Sequence, residues 1–182
     1  MKVTPLNIPD VLLIEPKVLE DDRGFFFESF NLNEFRNATS LNVSFVQDNH
    51  SKSIKGALRG LHYQLPPHAQ GKLVRVIQGE VFDVAVDLRR SSPTFGKYVT
   101  QVLSAENKIQ MWIPEGFAHG FLTLSETSEF LYKTTAFYNL DYERCIFWND
   151  QVVNINWPKL SNIKISSKDL LGKLLKDASI FL

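Results

Sequence analysis

The sequence predicts an all-β domain, a double-stranded β-helix or jelly-roll barrel with short helices at its periphery. Three observations predict it. Short runs rich in β-branched and aromatic residues recur at fairly even spacing between Lys72 and Thr135, the pattern of sandwiches and barrels. Polar or glycine-centred breaks separate them, at Gln78-Gly79-Glu80, Ala105-Glu106-Asn107 and Ser125-Glu126-Thr127. Helical pattern is confined to two segments at the edges of this series.

Each element has its own justification. Arg23-Gly24-Phe25-Phe26-Phe27-Glu28 reads as a strand with aromatic residues on both faces. Such a strand must be covered on both sides, and in a small barrel the second cover is another subunit, so an isologous homodimer is expected. A short helix follows at residues 33–37. From 72 to 88 two β-branched runs flank Gly79 and read as a hairpin. Period two in the second run puts Phe82, Val84, Val86 and Leu88 on one face and Asp83 and Asp87 on the other. Strands continue at 98–103, 109–113, 120–124 and 129–135, and a C-terminal helix is expected over about 168–178. No repeat, low-complexity segment or linker divides the 182 residues, so a single domain over 1–182 is expected.

Composition narrows the function. Lys and Arg together number 20, as do Asp and Glu. No net field therefore holds nucleic acid or an anionic membrane, and an anionic ligand must be gripped locally. The single Cys145 excludes an intramolecular disulfide, fits a reducing compartment and reads as a buried small hydrophobe. Pro5 and Pro9 near the N-terminus, without a long apolar run, do not read as a signal peptide. No apolar stretch approaches the ~18 residues that span a bilayer. A cytoplasmic protein is expected.

The chemistry concentrates in two motifs, Arg59-Gly60-Leu61-His62-Tyr63-Gln64 and Pro114-Glu115-Gly116-Phe117-Ala118-His119, which hold two of the chain's four histidines. Their spacing resembles the metal motifs of the cupin superfamily, where His-x-His and a following Glu are answered by Pro-x-Gly-x-x-His. Here Gln64 stands where a second His would bind, and Lys72 rather than a Glu lies in the interval before Gly79. Two His make a poor site for Zn²⁺ or Fe²⁺, and an ammonium repels a divalent ion, so neither metal nor cofactor is expected. The residue types suit proton transfer instead. A neutral His62 is a base matched to pH 7, best when a carboxylate fixes its tautomer. A Lys ammonium stabilises the oxyanion formed when a carbon beside a ketone loses its proton. A Tyr on the opposite face can return a proton there, which inverts the carbon.

Longer blocks make the resemblance specific. Arg23-Gly24-Phe25-Phe26-x-Glu28, Gln47-Asp48-Asn49-His50-Ser51, the His62 block, Gly71-Lys72-Leu73-Val74-Arg75-Val76 and Gly79 through Asp87 resemble the dTDP-4-dehydrorhamnose 3,5-epimerase family. So do Pro93-Thr94-Phe95-Gly96, Trp112 through Phe121, Tyr132-Lys133-Thr134-Thr135, Glu143-Arg144-Cys145-Ile146, Trp157-Pro158 and Ser167-Lys168-Asp169. The resemblance implies epimerisation at C3 and C5 of dTDP-4-dehydro-6-deoxy-D-glucose, a step toward dTDP-L-rhamnose for cell-surface polysaccharide. It implies His62 as base, Asp169 as its support, Tyr132 as acid and Lys72 as enolate stabiliser. Tyr138 would line the sugar pocket, while Gln47, Asp48, Asn49, Glu28 and Arg23 would hold the nucleotide, the last two donated by the partner subunit, and Phe26 would pack on the thymine ring. Arg59, His119, Glu143 and Lys168 would complete substrate binding.

Each residue also has a plainer reading. Asp169 lies at capping-box spacing from Ser166, Tyr132 and Tyr138 could be strand aromatics, and Lys72 an edge-blunting charge. Arg59, His50 and His68 could be surface or loop residues. Ala136 stands where the family keeps an acidic residue, beside Tyr138, and bears on which carbons are inverted. A 3-epimerase or 3,4-ketoisomerase on a related sugar nucleotide is therefore the neighbouring alternative. A metal-dependent cupin and a non-catalytic sugar-nucleotide-binding barrel are the alternatives of other classes.

Overall fold

Alternating patterning and short breaks turn almost the whole chain into strands. The computed structural model describes residues 1–182. Its strands are β1 (Lys2–Pro5), β2 (Leu12–Glu15), β3 (Leu19–Asp21), β4 (Gly24–Phe26), β5 (Gln47–Ile54), β6 (Ala57–Gln64) and β7 (Lys72–Gln78). They continue as β8 (Glu80–Asp87), β9 (Tyr98–Ser104), β10 (Gln110–Ile113), β11 (Phe117–Thr123), β12 (Thr127–Thr134), β13 (Glu143–Cys145) and β14 (Lys164–Ile165). Helix α1 (Leu32–Thr39) follows β4, and the single turn α2 (Ser167–Leu170) follows β14. The expected all-β jelly roll with peripheral helices is what forms. No helix is long and apolar enough to cross a membrane.

Two sheets face each other across the core. One runs β1-β2-β10-β7-β12-β5 and the other β13-β6-β11-β8-β9, with β14 added in parallel beside β6. Val74, Val76, Met111, Ile113 and Phe130 of the first sheet pack with Val81, Ala85, Val99, Leu103, Phe117 and Phe121 of the second. Burying each such side chain contributes roughly 1.5–3 kcal/mol before entropy is counted. Outside the first sheet, Phe35 of α1 packs on Leu12, Ile14, Leu73 and Trp112. Asn31 caps that helix by accepting the N–H groups of Asn33 and Glu34. Outside the second sheet the C-terminal segment covers Leu61, Val84, Val86 and Leu88 with Ile146, Val153, Ile155 and Leu175. The predicted alternation of β8 is therefore correct, yet both of its faces are buried.

Two expectations fail for physical reasons. Strands β7 and β8 are not a hairpin: β7 pairs with β10 and β12, and β8 with β9 and β11. Gly79, at φ +74, is a corner where the chain leaves one sheet for the other, and a Cβ there would lie 2.0 Å from the Thr127 carbonyl oxygen. A sheet-changing corner and a hairpin call for the same glycine. The C-terminal helix over 168–178 is also not continuous; after α2 only a 3₁₀ turn forms, at Leu175–Asp177. Between them Lys173 donates its N–H to the Cys145 carbonyl at 2.9 Å and bridges Ile146 as extended chain. That contact requires Gly172, whose added Cβ would meet the Phe147 nitrogen at 2.8 Å.

Candidate active site

Strand register gathers the motif residues from both sheets around one cavity of about 240 Å³. On the second sheet, His62 of β6 lies opposite His119 of β11 on one side and Cys145 of β13 on the other. On the first sheet, Tyr132 of β12 lies between Val74 of β7 and Asn49 of β5. Two residues along, Thr134 faces Lys72 and Gln47, so Lys72 shares the inward face with Tyr132. His62 and Tyr132 thus stand on facing sheets and line the same cavity with Arg59, Lys72, His119 and Glu143.

The histidine is oriented by a buried carboxylate. Asp169 Oδ1 lies 2.7 Å from His62 Nε2, and its Oδ2 accepts the Gly60 N–H at 3.2 Å. Burial works against the charge of Asp169, but bonding to His62, Gly60 and Ser166 outweighs it and holds the carboxyl below its usual range. An ionised Asp169 can only accept, which assigns the Nε2 proton to His62 and leaves Nδ1 as the free acceptor. The Ser166 hydroxyl accepts the Asp169 N–H at 3.1 Å. Asp169 is thus both the capped residue of α2 and the hydrogen-bond partner of the histidine.

Opposite, burial pulls Lys72 down to about 8, with Glu143 resisting. Strand β7 is interior to its sheet, so Lys72 does not blunt an edge. Burial raises the Tyr132 hydroxyl, partly offset by Arg59, and keeps it protonated. Glu143 is pushed up by burial but drawn below its usual range by Lys168 and by the Tyr138 hydroxyl, which donates to Glu143 Oε2 at 2.8 Å. Lys168 also forms an ion pair with Glu143. The exposed Arg59 is anchored, donating to Ser53 Oγ at 2.9 Å and to the Lys52 carbonyl at 3.1 Å. Gln47 donates to Asn49 Oδ1 at 2.8 Å on the same inward face of β5.

His119 is buried, with Nε2 held at 2.9 and 3.0 Å from the two oxygens of Asp83. Asp83 is fully buried, and burial raises its carboxyl despite the opposing histidine. Sequence reasoning placed Asp83 on a strand face without a role. The available signal was the pairing of β8 with β11, which a single sequence does not display.

Other expected site residues lie elsewhere. Asp48 alternates with Gln47 and Asn49 along β5, pairs with Lys133 at 2.8 Å and lines a neighbouring hollow with Asn49, His50, Arg75 and Tyr132, the last shared with the cavity. Arg23 and Phe26 sit on the exposed β3–β4 hairpin, Arg23 bonded to Asp21, and Glu28 just beyond it accepts from Asn31 at 3.1 Å. None of these lines the cavity of their own chain. His50 pairs with Glu129 on the surface, and His68 lies in a loop against Tyr142.

One cluster has metal-ligand types: His62, Cys145 and Asp169 place ligand atoms within 4.8 Å of one another. Burial, aided by Asp169 and Glu143, pushes the Cys145 thiol up to about 12, and only a thiolate is a good ligand. His62 and Asp169 are already bonded to each other, and Lys72 stands at the same cavity. The arrangement suits a base and its carboxylate better than a cation.

The chain resembles known proteins along its length. Residues 5–177 match the family model described as dTDP-4-dehydrorhamnose 3,5-epimerase. The chain is 61% identical to the dTDP-4-dehydrorhamnose 3,5-epimerase of Shigella flexneri over 182 residues, 100% of each chain. It is 62% identical to that of Pseudomonas aeruginosa over 181 residues, 100% of this chain and 99% of the relative. A crystal structure of the dTDP-6-deoxy-D-glucose-3,5-epimerase of Legionella pneumophila Philadelphia 1, in complex with dTDP-4-keto-L-rhamnose, superposes with a TM-score of 0.95. That protein is 48% identical, with 98% of this chain and 94% of that one covered.

Proposed function

The chain belongs to the dTDP-4-dehydrorhamnose 3,5-epimerase family, and on that premise we propose how its residues invert C3 and C5 of dTDP-4-dehydro-6-deoxy-D-glucose. The product is dTDP-4-dehydro-L-rhamnose, on the route to dTDP-L-rhamnose for cell-surface polysaccharide. The observation that carries the reading is His62 on one sheet, held at 2.7 Å by Asp169 of α2, facing Tyr132 and Lys72 on the other sheet. The C4 ketone acidifies the hydrogens on both neighbouring carbons. His62 removes one of them through Nδ1, and the electron pair moves to O4 as an enolate. Asp169 stabilises the imidazolium that results. The buried ammonium of Lys72 stabilises the charge at O4, more strongly here than in water. Tyr132 returns a proton from the opposite wall, and the carbon emerges inverted.

Arg59, His119, Glu143 and Lys168 would hold the sugar diphosphate, the guanidinium by charge-assisted bonds to phosphate oxygens. Tyr138 would line the sugar pocket, and Gln47 and Asn49 would bind the nucleotide. Arg23, Phe26 and Glu28 would reach the nucleotide of a partner in a homodimer. Support comes from the hairpin, where Phe25 and Phe26 are 60% and 67% exposed; such a surface calls for a cover. Asp48 would act from the neighbouring hollow that Asn49 and Tyr132 also line. One domain over 1–182 and a cytoplasmic location complete the proposal.

The test is incubation of the protein with the keto-sugar nucleotide in D₂O and excess EDTA, followed by NMR at C3 and C5. Deuterium at both carbons is expected. Exchange at C3 alone would make the protein a 3-epimerase, and exchange only when metal is restored would end the metal-free mechanism.

A further inference from the structure

Between β12 and β13 the chain crosses from one sheet to the other through residues 135–139, joining the cavity residues Tyr132 and Glu143. The crossing carries Tyr138. Burial does not fix it: Phe137, Tyr138 and Leu140 are 65%, 51% and 67% exposed. Nor do residues 136–139 belong to a strand ladder. Glutamine side chains hold their backbone instead. Gln70 Nε2 donates to the Ala136 carbonyl at 2.8 Å, alongside the Thr134 hydroxyl at 2.8 Å. Gln64 grips two successive peptide groups: Nε2 donates to the Phe137 carbonyl at 3.2 Å, and Oε1 accepts the Asn139 N–H at 2.7 Å. A further Nε2 bond, to the His68 carbonyl at 2.7 Å, completes its donors. Gln47 Oε1 accepts the Tyr138 N–H at 2.9 Å.

Gln64 is 3% exposed and ends β6, two residues beyond His62. A buried amide satisfied at both ends is a rigid link, here between the strand of the base and the peptides flanking Tyr138. The proton transfer described above does not use it. Yet one base and one acid serving two carbons require the half-reacted sugar to shift between the two inversions. His62 and Tyr132 are held by the ladders of β6 and β12, independently of the crossing, whereas the place of Tyr138 depends on the crossing.

We propose that Gln64 is a positioning residue: by pinning residues 137 and 139 it holds Tyr138 against the sugar and retains the singly inverted species for its second proton exchange. The inference rests on the reading of Tyr138 as a wall of the sugar pocket. Its test is the ratio of singly to doubly deuterated sugar formed in D₂O by the whole protein and by Gln64→Leu, which keeps the bulk and removes both hydrogen-bonding ends. In Gln64→Leu the first exchange should stay within about 3-fold of the parent while the second falls about 10-fold, a barrier raised by roughly 1.4 kcal/mol for the second exchange, so singly exchanged sugar is released. A merely structural role would slow both exchanges together. Gln70→Leu, which removes only the Ala136 tether, should move the ratio in the same direction by less, and it carries the test if Gln64→Leu does not fold. Folded variants that keep the parental ratio, or lose both exchanges in parallel, would overturn the role of Gln64 alone. A parent that exchanges neither carbon would overturn the epimerase reading, and this inference with it.

Discussion

Lys72 keeps a charge where burial opposes it, and two consequences follow at the scale of single residues. Its folded pKa of about 8 lies below the 10.5 of an unperturbed lysine. The unfolded chain therefore binds more protons between those values, and stability rises with pH across that window. Below pH 8 the buried charge costs on the order of 3 kcal/mol. Lys72→Met should accordingly be more stable at pH 7, by about 1–3 kcal/mol, and inactive; a urea titration that finds it destabilised would refute the claim. The same group sets an alkaline limb near pH 8 in kcat/KM, because the neutral amine cannot stabilise the enolate. Lys72→Arg, whose cation persists beyond that range, should lose the limb while running more slowly. His62→Ala should abolish exchange at both carbons. Tyr132→Phe should still exchange hydrogen, since the base remains, but fail to invert; a fully active variant would move the acid to Tyr138. At this scale the sequence was legible where residues stand in recognisable blocks, as with His62, Lys72 and Tyr132, which do meet at one cavity. Asp83 was not, because its meaning comes from His119 on a neighbouring strand, and pairing between distant strands leaves no local trace.

At the scale of elements, short devices aim the proposed base and its carboxylate. Helix α2 is one turn long and cannot persist by propensity; it exists because Ser166 caps it and Asp169 ties it to Gly60 and His62. Ser166→Ala should cost about 1 kcal/mol of stability. Because the capped N–H is that of Asp169 itself, the variant should also lower kcat with little change in KM. A variant that lost stability while keeping the parental kcat would show the cap to be structural only. The elements themselves were largely readable: the six strands predicted from residue 72 on, β7 to β12, formed within a few residues of their expected bounds, as did α1. What failed were connections. Gly79 signals a tight corner equally well whether the next strand pairs with the last or crosses to the facing sheet. The C-terminal helix ends at Leu170 because at Gly172 the chain packs on the backbone of residues 146–147, a tertiary contact that overrides helical pattern.

The whole molecule presents an imbalance between its two ends. The cavity of the proposed reaction is lined entirely by strands of the two facing sheets, while the β3–β4 hairpin turns aromatic side chains to solvent and stays out of that cavity. An isologous dimer resolves both facts if each hairpin completes the site of the other subunit, since a two-fold axis makes every such donation reciprocal. That arrangement predicts complementation between two crippled chains. His62→Ala has an intact hairpin and no base; the double variant Arg23→Ala, Phe26→Ala has a base and no nucleotide grip. In a mixed dimer, one site combines both defects and the other is wholly native. Unfolding the two chains together and refolding them in equal amounts yields half mixed dimers by random pairing, so about a quarter of parental activity should return. Hairpins that serve their own subunit would place one defect in every site, and the mixture would be no more active than its two components measured apart.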